Sequence, residues 1–273
     1  VNLGDFNAIA RSFHIGGNVT TETAKMLIDE VRVWNTIRTS AEINATMNTQ
    51  LNDNESGLVA YYNFDERIGN KVIDITGNEK NGTIEGNVTR LNFLENTINF
   101  DGLDDNIVVS SGIDIASKSF SFGFWTFVRN VTTEDTIIGH GTNSNNHFLR
   151  LDMLSNTEFR VDFLTNFLSY SSAEDLTNKW IYWAVTYDVD TNDRRIYKNG
   201  KLVASDVATE DFLGTGVFTI GSSSDSTNFF DGKISEVSIW NRVLTQREIQ
   251  RLMNSSLKGD EVGLLAYYPL NEG

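Results

Sequence analysis

Two stretches of this chain repeat each other at a constant offset of 206 residues. Ile28–Asn35 reads Ile-Asp-Glu-Val-Arg-Val-Trp-Asn, and Ile234–Asn241 reads Ile-Ser-Glu-Val-Ser-Ile-Trp-Asn. The match continues through Thr39/Thr245, Glu42/Glu248, Ile43/Ile249 and Met47/Met253, and closes on Gly57–Tyr62 against Gly263–Tyr268. Between 28–66 and 234–272, 18 of 39 positions are identical. Solenoid units run to about 20–50 residues, so an offset this long is the repeat of a whole domain. The expected organisation is the C-terminal part of a preceding copy in 1–57, a complete copy in 58–257, and the first strand of a following copy in 258–273. The chain then reads as a window on a longer tandem array.

Charge narrows the partners. The sequence holds 22 Lys and Arg against 37 Asp and Glu, a formal net charge of −15. Phosphate backbones require a positive footprint, so no nucleic acid is expected as a partner. With 40% hydrophobic and 11% aromatic residues the chain can bury a core. It contains no run of about 18 apolar residues, so no membrane insertion is expected. Cysteine is absent, which removes disulfides, thiolate zinc sites and cysteine nucleophiles together.

Short runs with period-2 alternation, separated by turn signals, make the complete copy all-β. Phe120, Phe122 and Phe124 share one strand face; Ile181, Trp183, Val185 and Tyr187 share another. Asn199-Gly200 suits a type I′ hairpin turn, in which both residues need φ > 0. Thr245-Gln-Arg-Glu248 has capping-box spacing and opens one short helix per copy, with Thr39-Ser-Ala-Glu42 as its counterpart. A second hairpin alternates Leu149, Leu151 and Met153 with Arg150 and Asp152, then Phe159, Val161 and Phe163 with Arg160 and Asp162. A three-residue loop at Ser155–Thr157 would set Arg150 opposite Asp162 and Asp152 opposite Arg160. Two exposed cross-strand ion pairs of this kind contribute roughly 0.2–1 kcal/mol each. They read first as a solvated outer face, and second as a platform for sugar hydroxyls.

In chain order, Gly57–Glu66, Asp74–Ile84, Asn99–Asp105, Ser119–Trp125, Trp180–Asp188, Tyr197–Gly200 and Phe230–Asn241 resemble the motifs of the bacterial laminin-G-like domains of the concanavalin A-like lectin/glucanase family. The resemblance implies a two-sheet antiparallel jelly-roll sandwich with one concave face. It also implies binding rather than catalysis. The related β-glucanases carry a Glu-x-Asp-x-x-Glu run on one strand, and this chain has none on a central strand, so no enzyme is expected.

Candidate ligand-binding residues are the loop-like aromatics Tyr170, Phe229 and Phe230, together with Arg150, Arg160 and His147. Trp125, Trp183 and Trp240 fall in apolar strand patterns and are expected in the core. Hard cations take carboxylate and carbonyl oxygens, and Asp101, Asp104 and Asp105 cluster at a strand end. By resemblance, a structural Ca²⁺ would be held by these residues with Asp65, the Gly102 carbonyl and Glu236. Where the family commonly has Asp, this copy has Ser235. Asp135-Thr-Ile137 and Asp225-Ser-Thr227 fit a short O-glycosylation pattern of bacterial surface proteins, which marks Thr136 and Ser226. The expected function is adhesion, glycan binding or a stalk role in a large extracellular or bacterial cell-surface adhesin. Its partners would be glycans or surface proteins, and neighbouring copies in the same chain. The alternative is a carbohydrate-binding module attached to a polysaccharide-degrading enzyme.

Overall fold

A computed structural model of the chain describes residues 13–16, 28–47, 51, 54–64, 66, 69–86, 88, 97–253 and 257–271. The chain divides into two compact units, 1–65 with 70–88, and 66–69 with 89–273. The first unit holds strand β1 (Val31–Trp34), helix α1 (Ser40–Thr46) and strands β2 (Leu58–Tyr62), β3 (Lys71–Val72) and β4 (Gly82–Thr83). The second begins with β5 (Ile98–Asp101), β6 (Ile107–Val109), β7 (Phe120–Val128), β8 (Asp135–Gly141), β9 (Phe148–Ser155) and β10 (Glu158–Asp162). It continues through β11 (Phe167–Ser171), β12 (Trp180–Tyr187), β13 (Asp193–Lys198), β14 (Lys201–Val207) and β15 (Phe218–Ile220). It ends with β16 (Asp231–Trp240), α2 (Gln246–Leu252) and β17 (Leu264–Tyr268).

The second unit is an antiparallel sandwich. One sheet has six strands in the order β11-β10-β9-β8-β15-β6. The other has seven, β14-β13-β12-β7-β16-β17, with β5 also paired to β16. Alternation decides what lies between them. Phe120, Phe122 and Phe124 of β7 meet Leu149, Leu151, Met153, Phe159, Val161 and Phe163 in one buried core. Across it Phe159 stacks on Trp183 with ring centroids 4.2 Å apart, and Phe122 lies parallel to Phe218 at 6.4 Å.

The opposite face of the seven-stranded sheet is apolar as well. Trp125, Tyr182, Ala184, Tyr197 and Trp240 are buried there with Leu244 and Ile249, the last from α2. Thr245 caps that helix, accepting from the Glu248 backbone while Glu248 returns the bond, and Thr39 and Glu42 do the same for α1. The Asn199-Gly200 turn has φ of 48° and 71°, as a type I′ turn requires.

The expected boundaries after 57 and 257 fall elsewhere than the division between the compact units. β2 pairs with β1, and β17 pairs with β16 inside the seven-stranded sheet. In each case the strand that closes the edge comes from the segment assigned by sequence to the next copy, because an open edge leaves backbone groups unpaired.

Phe159 is fully buried against Trp183, so Phe159→Ala should cost about 3–5 kcal/mol. Four of the five tryptophans lie in 89–273, so urea unfolding followed by tryptophan fluorescence reads this loss.

Candidate ligand-binding face

The second unit's helix α2 packs on the seven-stranded sheet and not on the outer face of the six-stranded one. The hairpin register sets Arg160 opposite Asp152 and Asp162 opposite Arg150, as the alternation predicts. The connecting loop is shorter than expected, since β9 runs to Ser155 and β10 starts at Glu158. These charges are not a solvated face. Asp152 is fully buried and Asp162 nearly so.

Glu134, which the sequence reading did not single out, joins the two arginines. Arg150 Nη1 donates to Glu134 Oε2 at 2.8 Å and its Nη2 to Asp162 Oδ2 at 2.8 Å. Arg160 Nη2 donates to Asp152 Oδ2 at 2.8 Å and also to Glu134. Thr136 Oγ1 donates to Asp152 Oδ1 at 2.8 Å, and Asn228 Nδ2 to Glu134 Oε2 at 2.9 Å. Burial pushes the Asp152 carboxyl up, against the pull of Arg150 and Arg160. Two guanidiniums and three carboxylates interlock there as a fixed set of donors and acceptors.

The cross-strand pairing places Phe167 opposite Asp162, Ser169 opposite Arg160 and Ser171 opposite Glu158. Phe167 therefore shares the charged face. It is 56% exposed, with the Arg160 guanidinium 5.9 Å from its ring centre. On the far side of the cluster the segment after β15 folds over the sheet. Ser224 Oγ donates to the Gly141 carbonyl at 2.8 Å and Asn143 Nδ2 to Asp225 Oδ2 at 3.1 Å. Gly139 makes room for this segment: a Cβ there would lie 2.5 Å from the Ser224 nitrogen.

Other sequence candidates are dispersed. Tyr170 belongs to β11 and turns to the core, edge-on to Trp183 at 6.2 Å. Phe230 is fully buried in the main core and Phe229 is half-buried. These aromatics are not a loop platform, because Tyr170 lies within β11 and Phe230 directly before β16, and both side chains pack into the core. His147 is half-buried, with Nδ1 2.9 Å from the Asn145 carbonyl. His140 is buried against Phe212 and Phe218. Thr136 is buried with its hydroxyl spent on Asp152, which leaves no room for a glycan; Ser226 is exposed at φ 59°.

Among the expected metal ligands, Asp65 lies outside the described residues. The side chains of Asp101, Asp104 and Asp105 each offer an oxygen within 4.8 Å of the others, and all three are exposed. Two of their carboxylates also serve the turn, Asp101 Oδ1 accepting from the Leu103 nitrogen and Asp105 Oδ2 from the Asp101 nitrogen. Gly102 adopts φ 80° there. Glu236 is not one of this group; it is buried and accepts from Tyr267 Oη at 2.7 Å. The donor set is the hard-oxygen type that calcium takes, with three carboxylates at its centre.

In the first unit, Asp29, Glu30, Arg32, Trp34, Ile43 and Met47 line a cavity of about 300 Å³. Ile43 is half exposed, whereas its counterpart Ile249 is buried with Trp125, Tyr182 and Tyr197 in the second unit.

Next to the charged cluster, Asp135 is buried and accepts from the Asp231 nitrogen at 3.2 Å. Burial, with the Asp231 charge, pushes it up to about 6. A carboxyl raised in the folded state contributes stability below about pH 4 that is lost as pH rises through 6. Relative to the native chain, Asp135→Asn should therefore gain about 1–3 kcal/mol between pH 4 and pH 7. Urea unfolding of both chains at the two pH values measures that difference.

Comparison with known proteins agrees with this architecture. No curated protein is similar enough to match. Among solved structures, a Bacteroides ovatus protein provisionally named carbohydrate-binding superposes with a TM-score of 0.51 at 23% identity, over 64% of this chain. The match spans 51% of that protein, about half its length. The heptameric SAP-like pentraxin of Limulus polyphemus superposes with a TM-score of 0.52 at 10% identity, over 67% of this chain and 94% of the pentraxin. Both likenesses are of fold. The sequence profile of one family covers residues 101–250, more than half of the chain. By that match, the chain belongs to the concanavalin A-like lectin/glucanases superfamily, in its laminin-G-type branch.

Proposed function

We propose that the second unit binds carbohydrate, without catalysis, on the outer face of its six-stranded sheet. The observation that carries this reading is the juxtaposition of exposed Phe167 with the Arg150–Arg160–Glu134–Asp152–Asp162 cluster. A ring face packs on the C–H side of a pyranose, while fixed guanidinium and carboxylate groups at its edge address hydroxyls. Ligand sites of this kind combine an apolar surface with a few pre-placed polar groups. The lectin/glucanase family and the carbohydrate-binding name of the Bacteroides ovatus neighbour support the same reading.

The acids of the cluster are engaged by arginines. Glycosidases instead keep one carboxyl free as acid and a second as base or nucleophile beside the scissile bond. This favours recognition over hydrolysis. In context, we read the chain as part of a tandem array in an extracellular or cell-surface adhesin, where an acidic surface keeps neighbouring copies soluble. Attachment to a polysaccharide-degrading enzyme is the alternative, supported by the same binding face. None of the helices among the described residues is long and apolar enough to cross a membrane.

A glycan array probed with the full chain tests the binding. Phe167→Ala should lower affinity for the sugars bound by about tenfold, or 1.4 kcal/mol, with the unfolding midpoint unchanged. An array that stays silent removes the carbohydrate reading.

Calcium enters this reading as a structural ion on Asp101, Asp104 and Asp105. A chelator should then lower the melting temperature, and Asp104→Asn should abolish the difference. Equal melting curves with calcium and with chelator would exclude the ion.

A further inference from the structure

The two strands that close an edge in this chain are almost the same strand. β2 reads Leu-Val-Ala-Tyr-Tyr and β17 reads Leu-Leu-Ala-Tyr-Tyr. The edges that receive them are alike too, Val-Arg-Val-Trp in β1 and Val-Ser-Ile-Trp at the end of β16. Val31, Arg32, Val33 and Trp34 face Tyr62, Tyr61, Ala60 and Leu58. Val237, Ser238, Ile239 and Trp240 face Tyr268, Tyr267, Ala266 and Leu264, each pair displaced by the same 206 positions. Even the irregularity recurs, between Val33 and Trp34 and between Ile239 and Trp240.

Each lock carries the same latch. Glu30 and Glu236 sit at φ 55° and 57°, a left-handed conformation uncommon for a non-glycine residue. There each accepts a tyrosine hydroxyl from the incoming strand, Tyr61 to Glu30 at 2.6 Å and Tyr267 to Glu236 at 2.7 Å. A further rung closes the far end, from Asn35 to the Gly57 carbonyl and from Asn241 to the Gly263 carbonyl, both at 2.9 Å. After the strand, Phe64 and Leu270 adopt matching φ of 53° and 55°.

We propose that the β16 edge is a strand-receiving site, and that it takes the Leu58–Tyr62 strand of a second copy of this chain in place of its own β17. The displaced β17 then fills the vacated β1 edge of the donor. All rungs and both latches are retained, and within the strand only Val59 replaces Leu265. Exchange of an equivalent element is a low-cost route to oligomers, and strand addition at a sheet edge supplies the affinity through backbone hydrogen bonds. Concentration sets the balance. The acceptor keeps its β1–β2 pair and the donor its β16–β17 pair, so each copy can exchange again and the assembly is open-ended.

The absence of cysteine makes the test clean. Ala60→Cys with Ile239→Cys, in the full chain, places thiols at a register pair that meets only through exchange. Directly opposed antiparallel residues lie within disulfide reach, with Cα atoms about 4.5–5.5 Å apart. Concentrated and then oxidised, this variant should give a non-reducing ladder of dimers and higher multiples of 30.6 kDa. Ala266→Cys with Ile239→Cys is the reference and should close within one chain. No bond at 60/239, or a bond closed within a single chain, while the reference closes, overturns the proposal. Should the variants not fold, isotope-labelled and unlabelled native chains are mixed at high concentration and weighed by native mass spectrometry. Mixed dimers support exchange, and monomers alone overturn it.

Discussion

The sandwich depends on one irregularity in β16. Between Ser235 and Ser238 the strand advances three residues while β7 advances two, from Trp125 to Gly123. The extra residue is Glu236, held at φ 57°. A bulge reverses the alternation of a strand, and here it lets Ile234, Val237 and Ile239 all face the core. Gly123 lies against it, where a Cβ would come within 2.3 Å of the Tyr182 hydroxyl. Without the bulge, the second half of β16 would turn Val237 and Ile239 away from the core.

The two outer faces of the sandwich answer different needs. On the seven-stranded sheet, Trp125, Tyr182, Tyr197 and Trp240 are too apolar for water, and Leu244 together with Ile249 of α2 covers them. On the six-stranded sheet the equivalent positions are charged and pair with one another, while Arg150 Nε, Arg160 Nε and Asp162 Oδ1 have no hydrogen-bond partner. Removing one member of such a buried set leaves an unpaired charge behind, so the cluster is held as a whole. That rigidity is what a site for hydroxyl-rich ligands needs, since groups fixed in advance lose little freedom on binding.

Much of this was legible in the residues. Period-2 alternation identified the strands and paired Arg150 with Asp162 and Arg160 with Asp152, because opposite charges interleaved with apolar residues admit one register. The capping boxes at Thr39 and Thr245 were legible for a local reason, as helix starts are written within four residues. Burial of the charged face was not, since Glu134 and Asn228 reach it from distant segments. Tyr170 was misplaced in a loop, and Phe230, which does precede β16, was expected exposed and is buried. The alternation of Leu168 with Tyr170 against Phe167, Ser169 and Ser171 carried the correct answer in a strand of only five residues. The pairing of the closing strands was not legible for a different reason: a sequence repeat has no inherent starting point, and only pairing reveals which edge a strand completes.

The outer edge of β16 is filled in series. β5 covers Asp231–Ile234 and β17 covers Val237–Trp240, with the Ile98 nitrogen joined to the Leu270 carbonyl at 3.2 Å between them. β7 meanwhile holds the other flank of β16 over nearly its whole length. Tension entering the sheet through β17 therefore meets a short run of rungs, the Tyr267–Glu236 latch and the Leu270–Ile98 bond, while the bonds between β7 and β16 stay out of the line of force.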